Sequence, residues 1–371
     1  MNIALGVILL ITYFIFIYYA AKGGNLLLGL FVMAVIWSGL SLIGGTVTLK
    51  DINNGIFQGG PESFGPTAVN IIFGSWFGRI LIETGIARTI IRKAVELGGD
   101  KPSLTVILLS IVVTAIFTTA YGVGAVVAIG VIVFPIMLSL GVAKNLATAV
   151  YSMAVGAGLW LNSALLSQAA GTMVIGESEK YVIGPDWYRF GIIALVVSVI
   201  TYIIMVLISN RNQKKVHAWA APSDEPEADT QAKNVNFWAA LTPIIPVSIT
   251  IAFGINSIPS IIIAVIWAFA WTGYLKKGWD KLAGIVEKTF HDGVADVGLV
   301  LGFLLFLQMF IKSAGYAKTL LSPIVSPILP KELFPLFLVF GLLAILALFR
   351  GPLTIWGAGA ATFAIIAGQG V

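Results

Sequence analysis

The sequence predicts an all-α polytopic membrane protein made of two inverted-topology repeats, each with a re-entrant helical hairpin and a broken helix. Three observations predict it. Apolar residues make up 58% of the chain and charged residues only 11%, far from the balance of a soluble domain. Charge-free runs of about 20 residues, the length of one membrane helix, recur along the chain. Two further apolar runs, Ser103 to Leu140 and Leu333 to the end, are too long for one helix and carry polar or small residues in their middles.

The mean hydropathy of +0.97 leaves the backbone only two spanning solutions, helices or a closed barrel. The runs are too long and too uniformly apolar for the alternating strands of a barrel. With no cysteine in the chain, disulfides, thiolate metal sites and cysteine nucleophiles are excluded. The net charge of +5 comes from basic residues in short loops between apolar runs. That is the pattern of membrane orientation rather than of nucleic-acid binding.

Taken in order, Asn2 to Tyr19 is a first apolar segment with no basic residue ahead of it, read as a retained helix rather than a cleaved signal. Asn25 to Val47 is a second span. Lys50 to Pro66, rich in glycine and asparagine, reads as loop with a short interfacial helix. Thr67 to Ile91 is a third span, with Arg79 and Glu83 four residues apart on one face, where they can pair. The run from Ser103 to Leu140 is 38 residues long and is broken by Thr118-Thr119-Ala120-Tyr121-Gly122-Val123-Gly124, so it is expected to form two short helices meeting at a polar tip. Leu146 to Ile175 has a polar interior (Gly156, Gly158, Asn162, Ser163, Ser167, Gln168) and reads as a broken helix. Trp187 to Ser209 is a clean span, and Asn210 to Asn236 is a hydrophilic linker. Phe237 to Ile255 and Pro259 to Leu275 form a pair of spans about an Asn256-Ser257 turn. Lys276 to Asp296 is a polar segment and Val297 to Leu321 another span. The last run is interrupted by Phe349-Arg350-Gly351-Pro352-Leu353-Thr354.

Alternating the spans across a bilayer places fourteen Lys and Arg residues on one side against six on the other. The richer side is expected to be cytoplasmic, which puts the N-terminus outside and linker 210–236 inside, in the cytoplasmic membrane of the cell. Gly85-Ile86-Ala87-Arg88-Thr89-Ile90-Ile91 matches Gly315-Tyr316-Ala317-Lys318-Thr319-Leu320-Leu321, and each is followed by an interrupted hairpin. Upstream, Phe57-Gln58-Gly59-Gly60 lines up with Phe290-His291-Asp292-Gly293. An odd number of spans between the two hairpins makes the repeat an inverted one, an architecture shared by many secondary transporters. The expected organisation is residues 1–209 as the first repeat (hairpin 103–140, broken helix 146–175), 210–236 as linker, and 237–371 as the second (hairpin 333–371). About 70 residues that this symmetry calls for have no counterpart in the second half, which predicts an incomplete chain.

The carrying residues Ala4 to Leu10, the Gly78 to Ile91 span with Thr84-Gly85, the hairpin Phe117 to Pro135 and the second one around Leu348-Phe349-Arg350-Gly351 resemble the ion transporter superfamily of carboxylate carriers. The gluconate permease and citrate carrier branches are the most similar. The resemblance implies two inverted repeats whose hairpins and broken helices bind an anion, and a homodimer. The chain departs from the Ser-Asn-Thr tips of sodium-coupled dicarboxylate carriers, showing Thr118-Thr119-Ala120-Tyr121-Gly122. It also lacks the His-Pro-rich break of gluconate permeases, showing Leu159-Trp160-Leu161-Asn162-Ser163.

A carboxylate at mid-membrane needs fixed donors in place of water, and half-helix N-termini supply them. The candidate substrate-binding residues are therefore Thr118, Thr119, Tyr121, Gly122, Gly124, Asn162, Ser163, Ser167, Arg350, Gly351 and Thr354. Arg350 is a guanidinium within an apolar hairpin, suited to bidentate carboxylate binding. Glu83, the one acidic residue within a predicted span, is the candidate carrier of a coupling proton. The alternative for each Thr and Ser is a hydrogen bond to its own helix backbone, and for each Gly, close helix packing. His217 and His291 have no metal-ligand company, and no phosphate-binding loop is present. No cofactor is expected beyond a coupling Na+ or H+. The expected function is ion-coupled symport of a small organic anion such as gluconate, citrate or a dicarboxylate, with the bilayer as its other partner. The rivals are a sodium/proton antiporter of similar build and a non-transporting membrane subunit or scaffold. An enzyme is not expected, because no catalytic pair falls within the spans.

Overall fold

The computed structural model describes residues 2–99, 101–172, 174–175, 179–180, 184–212, 235–328, 330, 332–347, 352–354, 359, 362 and 366. Helix α1 (Asn2–Ala21) and helix α2 (Leu26–Ile43) are the first two apolar segments, and the Asn25 side chain caps α2 by accepting from the Leu28 N–H at 3.2 Å. The following stretch, predicted as mostly loop, is helical instead. It holds a turn α3 (Leu49–Asp51), a π-helical segment Ile52–Gln58 and α4 (Gly59–Ser63). Thr48 and Asp51 start it with a reciprocal capping box.

The third predicted span is two helices, α5 (Gly65–Glu83) and α6 (Ile86–Gly98). Gly85, at φ +76°, takes the left-handed conformation that ends α5, because a side chain there would be strained. Helix α6 is amphipathic: Ile86, Ala87, Ile91 and Ala94 are buried, while Arg88 is exposed.

Helices α7 (Pro102–Phe117) and α8 (Val123–Ser139) fill the long apolar run, and the break between them falls on Thr118–Gly122. At 16 and 17 residues they are about 24 and 26 Å long. Each falls short of the roughly 30 Å hydrocarbon core of a bilayer. Next come α9 (Lys144–Leu159) and α10 (Ser163–Thr172), bent by 70° across the break at Trp160–Asn162. The second half-helix ends at Thr172, short of the predicted Ile175. Two-residue strands β1 (Val174–Ile175) and β2 (Glu179–Lys180) pair antiparallel after it.

Helix α11 (Pro185–Asn212) is the long span before the linker. The segment from Phe237, predicted as one span, is interrupted: α12 (Phe237–Ala240) gives way to a 3-10 turn at Thr242–Ile244 before α13 (Ile245–Phe253). Pro243 and Pro246 lack the N–H groups a continuous α-helix would use. Helix α14 (Ser257–Trp271) follows the Asn256 turn. From Trp279 on, the predicted polar segment Lys276–Asp296 is continuous with the span after it in one 47-residue helix, α15 (Trp279–Val325). Helix α16 (Leu333–Leu342) and a 3-10 turn Ala344–Ala347 come last.

Apart from β1 and β2, the secondary structure among the described residues is helical. Among the described residues four helices are long and apolar enough to cross a membrane, namely α1, α2, Pro185–Ser209 of α11 and α15, or five if α9 and α10 make one bent span. In α11 the side chains of Ile193, Val197, Ile200, Ile204 and Ile208 are exposed, an apolar surface suited to lipid. The protein is a helical, membrane-spanning one.

By contacts the chain divides into two compact units, each drawn from separate stretches. Unit 1 is Met1–Ala68, Ala169–Val182 and Gly298–Val371; unit 2 is Val69–Gln168 and Ile183–Val297. In unit 1, Trp37 on α2 packs edge-on against Phe310 of α15 with centroids 5.0 Å apart, and the Trp37 indole donates to Thr12 Oγ1 at 3.1 Å. In unit 2 a continuous core joins Phe77 and Ile80 of α5, Leu109, Val113 and Phe117 of α7, Val150 and Ala154 of α9 and Tyr202 of α11.

Candidate functional site

The break between α9 and α10 meets the break between α7 and α8, and one side chain holds them together. Asn162 is fully buried. Its amide donates to the carbonyls of Phe117 and Ala120, both at 2.9 Å, and its oxygen accepts from the N–H groups of Ala164 and Leu165 at 3.0 and 3.2 Å. One asparagine therefore caps the end of α7 and the start of α10. All four of its ordinary hydrogen-bonding positions are taken by protein. Asn162 shapes the site and has no capacity left for an anion.

The two tip threonines are likewise committed to backbone. Thr118 Oγ1 donates to Ala115 O at 2.7 Å, and Thr119 Oγ1 donates to Pro243 O at 2.9 Å. The carbonyl of Pro243 is available because the 3-10 turn breaks the helical ladder there. Tyr121 gives its backbone N–H to Gly74 O at 3.2 Å and its hydroxyl to Gln168 Oε1 at 2.6 Å. These groups tie the tip to α5, α10 and the Pro243 turn.

Ser163 and Ser167 are half-buried on α10. Ser163 lines a cavity of about 10 Å³ with Tyr188, Thr250 and Ser257, room for one water molecule. A larger space of about 340 Å³ lies between Met153, Leu159, Trp160, Leu165 and Ser198. Its walls are mostly apolar, and the Ser198 hydroxyl is spent on Ala194 O at 2.7 Å.

Polar groups with unused donors gather at the start of α8. Gly122, at φ +102°, precedes the helix and supplies no side-chain cap. Gly78 of α5 lets that helix lie against the tip, since a Cβ there would sit 3.2 Å from that of Ala125 and 3.4 Å from that of Ala120. Ser75, one turn before Gly78, is 1% exposed, and its Oγ makes no hydrogen bond. It points at Gly122, whose Cβ, were there one, would lie 2.9 Å away.

Arg79 stands one turn beyond Ser75. The sequence pairs it with Glu83, but its guanidinium takes Asp296 of α15 as a fork, Nε to Oδ2 at 2.6 Å and Nη2 to Oδ1 at 2.5 Å. Asp296 reaches the first turn of α8, where a Cβ on Gly124 would lie 2.1 Å from Oδ1. Glu83 is bound instead by Lys288, at 3.0 Å, in a pair that is 31% and 59% exposed. An ion pair so open to solvent contributes little. Asp296 was hidden from the sequence reading because Lys276–Asp296 reads as a polar loop. The signal that could have found it is charge complementarity, with Arg79 and Glu83 four apart on one helix and Lys288, Asp292 and Asp296 at four-residue steps on another.

Thr354 Oγ1 donates to Ala347 O. Arg350 and Gly351 lie outside the described residues, as does His217. His291 is exposed, with Nδ1 3.6 Å from the Asp292 carboxylate. Among the described residues no group of three or more His, Cys, Asp or Glu side chains is placed to hold a metal.

No protein-family model matches the chain, and no curated protein matches it.

Proposed function

We propose that this chain is a secondary active transporter, an ion-coupled symporter that carries a small organic anion such as gluconate, citrate or a dicarboxylate by alternating access. The observation that carries the reading is the meeting of two helix breaks, Thr118–Gly122 and Trp160–Asn162, with an uncapped helix start and a guanidinium beside them. Breaks in apolar helices leave backbone groups unpaired where a bilayer offers no water, and such breaks are kept where they line a substrate path. The first turn of α8 presents N–H groups and the positive end of a helix dipole. Both favour an anion.

The rest of the reading follows the sequence. The two halves are inverted repeats of the carboxylate-carrier type that the sequence resembles, and the carrier works as a homodimer. The N-terminus faces outward and linker 210–236 faces the cytoplasm, as the distribution of Lys and Arg favours. Labelled gluconate, citrate and succinate offered to proteoliposomes under an imposed proton or sodium gradient test the function. Accumulation of one of them that collapses with the gradient supports it, and no accumulation of any contradicts it.

One observation favours a second reading, sodium/proton antiport. Asp296 adds a carboxylate beside a helix break, where the sequence had offered only Glu83. Proton efflux driven by a sodium pulse in the absence of any organic anion, read with a trapped pH dye, would select the antiporter.

A further inference from the structure

We propose that the Arg79 fork and the first turn of α8 form the seat of a substrate carboxylate, and that Asp296 fills this seat until the substrate displaces it. The inference rests on the anion-carrier reading and names the subsite at which the anion is recognised.

Three features describe the seat. Arg79 presents Nε and Nη2 in the planar fork that matches a carboxylate, and both Asp296 oxygens sit on it, at 2.6 and 2.5 Å. The start of α8 faces the same carboxylate across Gly124, where any side chain would strike Asp296. Ser75 Oγ, 1% exposed and without a partner, points at Gly122 from the same helix that carries Arg79.

A purely structural ion pair would account for the first feature alone. Both oxygens of Asp296 are used by Arg79, and none reaches Ser75, so a buried hydroxyl and an uncapped helix start are left over beside the pair. A buried hydroxyl with no partner is costly, and an uncapped helix N-terminus favours an anion. The seat therefore offers more donors than its present occupant uses. A larger anion, with hydroxyls or a second carboxylate next to the first, has the acceptors to engage Ser75 and the α8 N–H groups as well as Arg79. That surplus is the differential interaction which lets a substrate win against a tethered carboxylate. It also ties recognition to movement, since Asp296, once released, frees α15 from α5 at this point. Glu83 and Asp292 also lie within electrostatic reach of Arg79.

Competition and structural support predict opposite signs for one variant. In purified full-length protein, binding of gluconate, citrate and succinate is measured by titration calorimetry for wild type, Asp296→Asn, Arg79→Lys and Ser75→Ala. Removing the competing charge in Asp296→Asn should tighten binding of the carried anion by about tenfold or more. Arg79→Lys, which loses the fork, should weaken it by about tenfold or more, and Ser75→Ala by a few-fold. Infrared difference spectra of wild type labelled with ¹³C-aspartate supply a second readout that does not depend on a variant folding. Binding should shift an aspartate carboxylate band as Asp296 leaves the guanidinium, and that shift should be missing in Asp296→Asn. If wild type binds and carries an anion while Asp296→Asn binds it no more tightly and no aspartate band moves, displacement is overturned and the carrier reading stands. If none of the three anions binds to wild type, both are overturned. Should Asp296→Asn not fold, the wild-type spectrum decides alone.

Discussion

Asn162 shows how one residue can shape a site without touching a ligand. A short amide satisfies two carbonyls at the end of α7 and two N–H groups at the start of α10. Asn162→Ala leaves three buried backbone groups and one half-buried one unpaired and is expected to lower stability by about 3 kcal/mol or more. Asn162→Asp keeps the two acceptor bonds and loses both donor bonds, so it should be destabilised as well. Thermal unfolding in detergent measures both, and a melting temperature equal to wild type in Asn162→Ala would refute the capping role. Asn162 was legible as special because an amide among Leu159, Trp160, Leu161 and Ala164 demands partners, but whether those are protein or substrate is not written in local sequence. Asp296 was not legible as a site residue at all. Its partner lies 217 positions away, and the charges just before it disguise a helix as a loop. Gly124→Ala would place a methyl group where the Asp296 carboxylate now sits, obstructing the seat proposed for the substrate carboxylate, so carriage should fall at least about tenfold, as expected for misplacement at a tight site. Initial uptake rates in proteoliposomes check this; rates equal to wild type would show that the contact is slack.

Among the elements, the paired short helices and the bent α9–α10 segment were readable from polar and glycine residues set in apolar runs. The division of α5 from α6 was not, because Thr84-Gly85 is a weak punctuation in a run that stays apolar through Ile91. The left-handed Gly85 reveals it only once φ is known. Gly85→Ala is expected to cost about 1 kcal/mol and to loosen the first turn of α6. Hydrogen exchange at Ile86 to Ile90 would report this as faster exchange, and unchanged protection would argue against the turn. The 47-residue α15 was concealed by its own charged first half, whose Lys288 and Asp296 find partners on α5. At the start of α3, hydrogen bonds from the Thr48 hydroxyl and backbone N–H hold the Asp51 carboxyl below its ordinary range. A depressed folded value means that the carboxylate supports the fold above the ordinary value near 4 and that this support is lost as pH falls through the depressed one. The Asp51 amide should therefore exchange faster, after correction for intrinsic rates, as pH drops below about 4. Thr48→Val, which loses the hydroxyl but keeps the backbone N–H, should weaken that dependence; if it is unchanged in the variant, the Thr48 hydroxyl is not its source.

At the scale of the whole molecule, hydropathy made the membrane-spanning, helical character plain, because spans depend on length and composition alone. The grouping into two units was not legible, since each unit gathers stretches from distant parts of the chain. The central claim is that this assembly carries an organic anion by alternating access. Counterflow tests it most directly: proteoliposomes loaded with one unlabelled carboxylate are diluted into a trace of the same labelled anion with no ion gradient. The account predicts transient accumulation of label inside above its external concentration, present in wild type and strongly reduced in Arg79→Lys. Entry of label that never exceeds equilibrium for gluconate, citrate and succinate alike would contradict it.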